Sequence, residues 1–305
     1  MKLFNSFCYK FYNLVLAENK KIIIGGYDLC GAYCNWLINY MTQTHADMIV
    51  DESLCVYGVK IYRELALSEI NKDEYIGLVP HDKKYAEMFE RNGIKYISLT
   101  DAFKCTQFGF YDWLECTFGA DLVKTIPKED FDYDFKFATN SGVSRQIGLA
   151  DVIASLETSV EVQRHMKALD VGCGKGGAIT MMKQSYLFDR VDGIELSPKI
   201  CDIAKDNMKK LNIESNIMNV SATEFDKYGN YDLLYLYDPF RGEVFLEALR
   251  QIEYAARSRS KPMFLVYANP YHHKDIVDGG VFKLINKVDT DFFHRDVHIY
   301  TSEAK

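Results

Sequence analysis

Short apolar runs alternate with longer amphipathic stretches along most of the chain. In the first third, "KIIIGG", "ADMIVD", "YIGLVP" and "IKYISL" read as strands: brief, rich in Ile, Val and Leu, and bounded by Gly, Pro or Asp. Between them, "CGAYCNWLINYMTQ" and "HDKKYAEMFERNG" repeat apolar residues at helical spacing, and "VYGVKIYRELAL" reads as a turn and helix. Gly93 is placed to end its helix. A second series begins at "KALDV" and continues through the strands "VDGIEL", "SNIMNV", "YDLLYLYDPF" and "KPMFLVYANP". Its helices are "GCGKGGAITMMKQS", read as a loop running into a helix, "SPKICDIAKDNMKKLN", where Ser197 caps and Pro198 suits the first turn, and "EVFLEALRQIEYAARS". Two shorter strands, "VFKLINKV" and "DVHIYTS", follow at hairpin spacing. Strands alternating with helices predict parallel sheets covered on both faces, an α/β fold.

The pattern weakens between the two series. "TIPKEDFDYDFKFATNSGVSRQIG" is polar, aromatic and irregular, and "LADVIASLETSVEVQRHM" looks helical. The expected organisation is an N-terminal domain over residues 1–112, a connecting or lid segment over 113–166, and a second domain over 167–305. Thr139, Asn140 and Ser141 are the lid candidates, with a plain linker as the alternative.

Composition narrows the partners. With 305 residues, 48% hydrophobic and 26% charged, the chain has the apolar mass for two ordinary globular cores. A net charge of −7 disfavours nucleic acid, whose phosphates need a basic face. No window reaches the length of a membrane span. The opening "MKLFNSFCYKFYNLVLAENKK" reads as an amphipathic packing helix rather than a signal peptide, with a membrane-surface helix as the alternative. Eight scattered cysteines without a C-x-x-C pair point to reduced thiols in a cytoplasmic protein and to no metal site.

The chemistry centres on "LDVGCGKGG". Gly172, Gly174 and Gly177 bring backbone close to a ligand, and Lys175 sits among them. Asp170, two places ahead, decides which ligand. A carboxylate there repels a pyrophosphate and attracts an ammonium or sulfonium. Glu195 ends the next strand, where an acid can accept hydrogen bonds from ribose hydroxyls. Together they favour S-adenosylmethionine over a dinucleotide.

These residues carry a family resemblance. Residues from about 167 to 301 resemble class I, seven-stranded S-adenosylmethionine-dependent methyltransferases, "LDVGCGKGG" standing for their first motif and "VDGIELSP" for their second. "VSATEF" stands where that family contacts adenine, with Ser221 in place of the usual Asp, followed by Ala222, and with Asn219 as a nearby substitute. "FDYDFKFATNSG", "GCGKGG", "GIELSP", "LYLYDPF" and "FLVYANP" are similar to a little-characterised bacterial subfamily, from which Asp238 departs. The resemblance implies a seven-stranded, Rossmann-like sheet whose last strand is antiparallel. It also implies an acceptor site at "YDPF", similar to the motif of amino methyltransferases. There Asp238 and Pro239 would hold the acceptor, Phe240 would face the incipient cation, and Asp238 would also lie against the cofactor methyl. Asp238 also reads as a base toward a hydroxyl, or as an ordinary turn residue before proline. In "ANPYHH", Asn269 and Tyr271 are pocket candidates and His272 is a candidate for proton removal, with surface histidines as the alternative.

The first turn, "GGYDLCG", has Asp28 where a dinucleotide loop has its middle glycine, which argues against a pyrophosphate. Asp51 keeps the ribose-acid position. The unit resembles Rossmann-like modules beside sugar- and polysaccharide-modifying enzymes, and is read as a substrate-recognition or dimerisation module. The expectation is therefore two Rossmann-like domains. The second would be an N- or O-methyltransferase acting on an amine or hydroxyl of a small molecule or glycan precursor, and the first would support a homodimer. A protein-lysine methyltransferase and a non-catalytic S-adenosylmethionine-binding subunit stay open.

Overall fold

A computed structural model describes residues 12–27, 29–52, 60–79, 83–98, 107–124, 126, 149–158, 165–185, 187–290 and 295–303. The chain divides into two compact units, Met1–Trp113 with Gln184–Tyr186, and Leu114–Lys183 with Leu187–Lys305.

In the first unit, β1 (Lys21–Gly25), β2 (Met48–Val50), β3 (Tyr75–Val79) and β4 (Tyr96–Ser98) lie in the order β2-β1-β3-β4, every pair parallel. Three consecutive isoleucines, Ile22 to Ile24, are buried, as a strand covered on both faces requires. Helix α1 (Leu29–Thr42) buries Cys30, Tyr33, Cys34, Leu37 and Ile38, the stripe its sequence spacing lays down. Helix α2 (Lys83–Arg91) buries Tyr85, Met88 and Phe89 in one core with Ile23, Val50 and Val79. Gly93 ends it with φ of 66°. Two expectations change. "YRELAL" contributes a 3-10 helix over Glu64–Glu69 where a helix was expected, with residues 53–59 outside the described ones. Helix α3 (Gln107–Phe118) runs through the point at which the pattern was expected to weaken. Of the opening segment, Tyr12–Leu16 form a π-helical turn with Val15 buried, and the residues before Tyr12 lie outside the described ones.

The second unit takes up the end of α3 and residues 119–124, and its next described element is α4 (Leu149–Thr158). Then follow β5 (Met166–Val171), α5 (Gly177–Met182), β6 (Phe188–Glu195), α6 (Pro198–Lys210), β7 (Ile217–Asn219) and β8 (Leu233–Tyr237). The chain continues through α7 (Glu243–Arg257), β9 (Phe264–Ala268), α8 (His273–Asp278), β10 (Phe282–Thr290) and β11 (Arg295–Ser302). The seven strands are ordered β10-β11-β9-β8-β5-β6-β7. Only the last strand runs against its neighbours: β11 is antiparallel to β9 and β10, and the other pairs are parallel. Both units are thus α/β and consistent with two Rossmann-like domains.

Local chemistry explains the elements. "LLYL" of β8 is an unbroken buried run because helices cover a parallel sheet on both sides. On α7, Phe245, Ala248, Leu249, Ile252 and Ala256 face the core, and burying each large side chain contributes about 1.5–3 kcal/mol. Ser197 caps α6 by accepting the Ile200 N–H at 3.1 Å, which contributes about 1 kcal/mol. β5 pairs with β6 on one side and β8 on the other, so the strand order reverses between β5 and β8. Open sheets of this kind bind ligands at such a point, outside the carboxyl ends of the strands. Among the described residues, no helix is long and apolar enough to cross a membrane.

Candidate active site

Asp170 is the penultimate residue of β5. It is only 3% exposed, and among the described residues no hydrogen bond or ion pair reaches its carboxylate. Burial, and then the Glu195 charge, hold its carboxyl well above the usual carboxylate range. A buried carboxylate without a partner is costly, and a bound cation relieves that cost.

The glycine loop supplies the cradle. Gly172, Gly174 and Gly176 have φ of 76°, 53° and 88°, the left-handed region that suits glycine. A Cβ on Gly172 would lie 2.5 Å from Cβ of Pro239, and one on Gly176 would lie 2.7 Å from Cε of Met208. Glu195, which closes β6, is buried and holds the loop from the side. Its Oε2 accepts the Gly174 N–H at 3.0 Å and its Oε1 accepts the Ser197 N–H at 3.0 Å.

The opposite wall comes from the loops after β8 and β9. Asp238 takes φ of 43° and Asn269 takes 57°, both uncommon outside glycine. Arg241 donates from Nε to Oδ1 of Asp238 at 2.9 Å and from Nη2 to Oδ2 at 2.5 Å. Asn269 Nδ2 donates to Oδ2 at 2.6 Å. The Asp238 side chain is 12% exposed and that of Arg241 is 40% exposed. The guanidinium lies over the Tyr271 ring, 4.6 Å from its centroid, and Tyr271 is 69% exposed. Beneath them Tyr267 is fully buried, and its hydroxyl has no hydrogen-bond partner among the described residues. Burial and then the Asp238 charge push its phenol up.

Residues 168–256 match a family model described as a methyltransferase domain. This segment is a methyltransferase domain. Its motifs resemble those of the S-adenosylmethionine-dependent class I, whose cofactor is S-adenosylmethionine. The Asp170 carboxylate, buried and without a hydrogen-bond partner among the described residues, fits that cofactor's ammonium group. No curated protein matches the sequence. Among solved structures, a mutant of MtNAS aligns at 15% identity with a TM-score of 0.41, covering 52% of this chain and 59% of that one. A ribosomal protein L11 methylase from Lactobacillus delbrueckii subsp. bulgaricus aligns at 15% and 0.40, covering 51% and 78%. Aeropyrum pernix fibrillarin, with natively bound S-adenosyl-L-methionine, aligns at 17% and 0.38, covering 52% and 75%. Likeness at this level carries nothing about substrate.

Several residues of the methyltransferase domain do something other than expected. Lys175 does not face the cofactor side. Its buried Nζ donates to Asp121 Oδ1 at 2.7 Å and to the Lys124 carbonyl at 2.7 Å, tying the segment after α3 to the glycine loop. Asn207 reinforces the tie by donating to the carbonyls of Asp121 and Lys175 at 3.0 Å each. Gly177 is not a loop glycine but the first residue of α5; Gly176 supplies the left-handed turn that caps it. The Ser221 hydroxyl pairs with that of Thr223 at 2.8 Å and accepts the Thr223 N–H, which makes it part of its own turn. Ala222 is buried in the core, and its carbonyl accepts from the Tyr228 hydroxyl. Asn219 spends its amide N–H groups on the carbonyls of Glu195 and Leu196, each at 2.9 Å.

The expectation that His272 removes a proton is corrected. Its Nε2 accepts the Gly242 N–H at 3.2 Å, so its proton sits on Nδ1 against Asp275 Oδ2 at 2.8 Å. The ring also stacks on Phe245 at 4.3 Å, and the residue is buried. Both nitrogens hold loops together. Asp238 as a free base is corrected for the same kind of reason, because its charge is paired with Arg241. Phe240 is half-buried, packed toward Phe245 at 6.3 Å. Thr139, Asn140, Ser141 and Asp28 lie outside the described residues. Arg241 had not been singled out in the sequence; its only local signal is its place three residues after an Asp-Pro turn.

Proposed function

We propose that this domain methylates a nitrogen or oxygen of a small molecule or glycan precursor held between the glycine loop and the Asp238–Arg241–Asn269 cluster. One observation carries the reading: Pro239 packs directly on Gly172, so the loop bearing Asp238 stands beside the cofactor cradle. S-adenosylmethionine supplies, when bound, a methyl group already activated on a sulfonium. The chain's own work is binding and alignment. Asp170 receives the cofactor's cationic end, and Glu195 stiffens the loop and meets the ribose. Leu196, 46% exposed directly after Glu195, offers an apolar edge for the base. Asp238, immobilised by three hydrogen bonds, orients the acceptor N–H or O–H rather than taking its proton. The net charge of −7 supports a small acceptor over a polyanionic nucleic acid. The test is transfer of a labelled methyl from S-adenosylmethionine to a small-molecule extract. The expected result is transfer by the native protein and a loss of at least about tenfold in Asp238→Ala, one charged hydrogen-bond partner removed. Cofactor binding without transfer to any extract fraction would overturn the reading.

A further inference from the structure

Arg241 has more donors than its partners use. A guanidinium carries five N–H bonds, and among the described residues those of Arg241 that are spoken for are the Nε–H and one on Nη2, both on Asp238. Its side chain is 40% exposed, yet it is not loose. The bidentate clasp fixes the plane of the fork, and Tyr271 supports one face of it. A cation held in this way has already lost its side-chain entropy, which is what makes a fixed arginine a strong oxyanion reader. It stands on the loop whose Pro239 touches the glycine loop at Gly172. Asp238 is shared between Arg241 and Asn269, and Asp275 is engaged by His272.

We infer that the acceptor carries an oxyanion, a carboxylate or a phosphate, and that the outer N–H groups of Arg241 read it while Tyr271 provides a flat wall beside it. This rests on the proposed small-molecule methyl transfer and narrows its substrate class to acids. The Asp238–Arg241 pair then sets the register of the acceptor: the anion docks on the outer edge of the guanidinium, and the reacting atom lies inward, toward the cofactor cradle.

The site can be read without turnover. Protein saturated with S-adenosylhomocysteine is titrated with inorganic phosphate, and separately with acetate, at constant ionic strength, following the line width of the anion's own NMR signal. Saturable broadening is expected in the native protein for at least one of the two anions. Whichever binds tighter tells a phosphate from a carboxylate acceptor. Arg241→Gln should weaken it at least about tenfold, the loss of charged hydrogen bonds. Arg241→Lys, which keeps the charge and loses the planar fork, should recover part of that binding. That partial recovery is something a merely damaged loop would not produce. No saturable broadening with either anion, or equal broadening in the native protein and Arg241→Gln, would sink the inference. The proposed methyl transfer would stand or fall separately, on the label-transfer experiment.

Discussion

Ile24 and Asp170 occupy matching places, each two residues ahead of the first left-handed glycine of its turn, Gly26 and Gly172. Both are buried near the end of a parallel strand. The acids that close the neighbouring strands also match. Asp51 accepts the Tyr27 N–H at 3.1 Å, and Glu195 accepts the Gly174 N–H at 3.0 Å, each from within its own glycine turn. The turns differ in what fills the space the glycines leave. A Cβ on Gly26 would lie 2.7 Å from Cε2 of Tyr85, and one on Gly25 would lie 2.8 Å from its Cβ, so a buried tyrosine occupies the first turn. In the second turn, Pro239 and Met208 crowd the outer sides of the loop, and the Asp170 carboxylate has no hydrogen-bond partner among the described residues. One turn uses glycine so that a helix can pack on a strand. The other uses it beside a buried carboxylate that no hydrogen bond reaches among the described residues.

The contrast can be broken most severely at Ile24. Ile24→Asp puts an unpartnered carboxylate into a core with no cation to meet it and should cost about 3–5 kcal/mol. Both tryptophans, Trp36 and Trp113, belong to the first unit, so fluorescence during denaturant unfolding reads the loss. A native midpoint for this variant would mean that the first turn has room for a ligand after all.

Next comes Asp170→Asn, which should weaken S-adenosylhomocysteine binding in calorimetry about 10- to 100-fold, the range of charged hydrogen bonds. The same change should raise the apoprotein's melting temperature at neutral pH. The sign follows from the raised folded-state pKa. A carboxyl raised on folding favours the folded state below its unfolded range, and that contribution is lost as pH rises through the folded range. Asparagine removes that loss. Affinity and melting temperature falling together would make Asp170 an ordinary structural residue.

The smallest effect is expected at Asp51→Asn. The amide oxygen can still accept the Tyr27 N–H, so stability should change by no more than about 1 kcal/mol, with S-adenosylhomocysteine affinity unchanged. A large loss of affinity would mean that the first turn takes part in cofactor binding.

Much of the frame was legible along the chain. Alternating runs such as "KIIIGG" and "KALDV" mark strands because a covered parallel strand must be apolar throughout, and the hairpin spacing of the last two runs marks the antiparallel pair. Asp170 and Glu195 were legible because both sit at fixed offsets from strand ends. The Asp238–Arg241–Asn269 cluster was only half legible. Asp238, Asn269 and Tyr271 can be picked out one by one, but the salt bridge that changes the chemistry of Asp238 depends on its left-handed backbone and on a turn that brings Arg241 back. His272 reads as a base in sequence, because nothing local shows that Gly242 and Asp275, one of them on another loop, engage both of its nitrogens.

The sequence by itself determined the periodicity of the elements, the two-unit α/β organisation and the order acid-x-Gly-x-Gly that sorts the cofactor. These depend on neighbours within a few residues and on the alternation of faces, so they are written locally. The tertiary structure decided which polar groups remain unsatisfied. Lys175 and Asp170 lie five residues apart in one motif, yet the lysine's ammonium finds Asp121 and the Lys124 carbonyl while the aspartate's carboxylate finds no hydrogen bond among the described residues. That difference comes from segments distant in sequence folding against the Lys175 side of the loop and bringing no donor to Asp170 among the described residues.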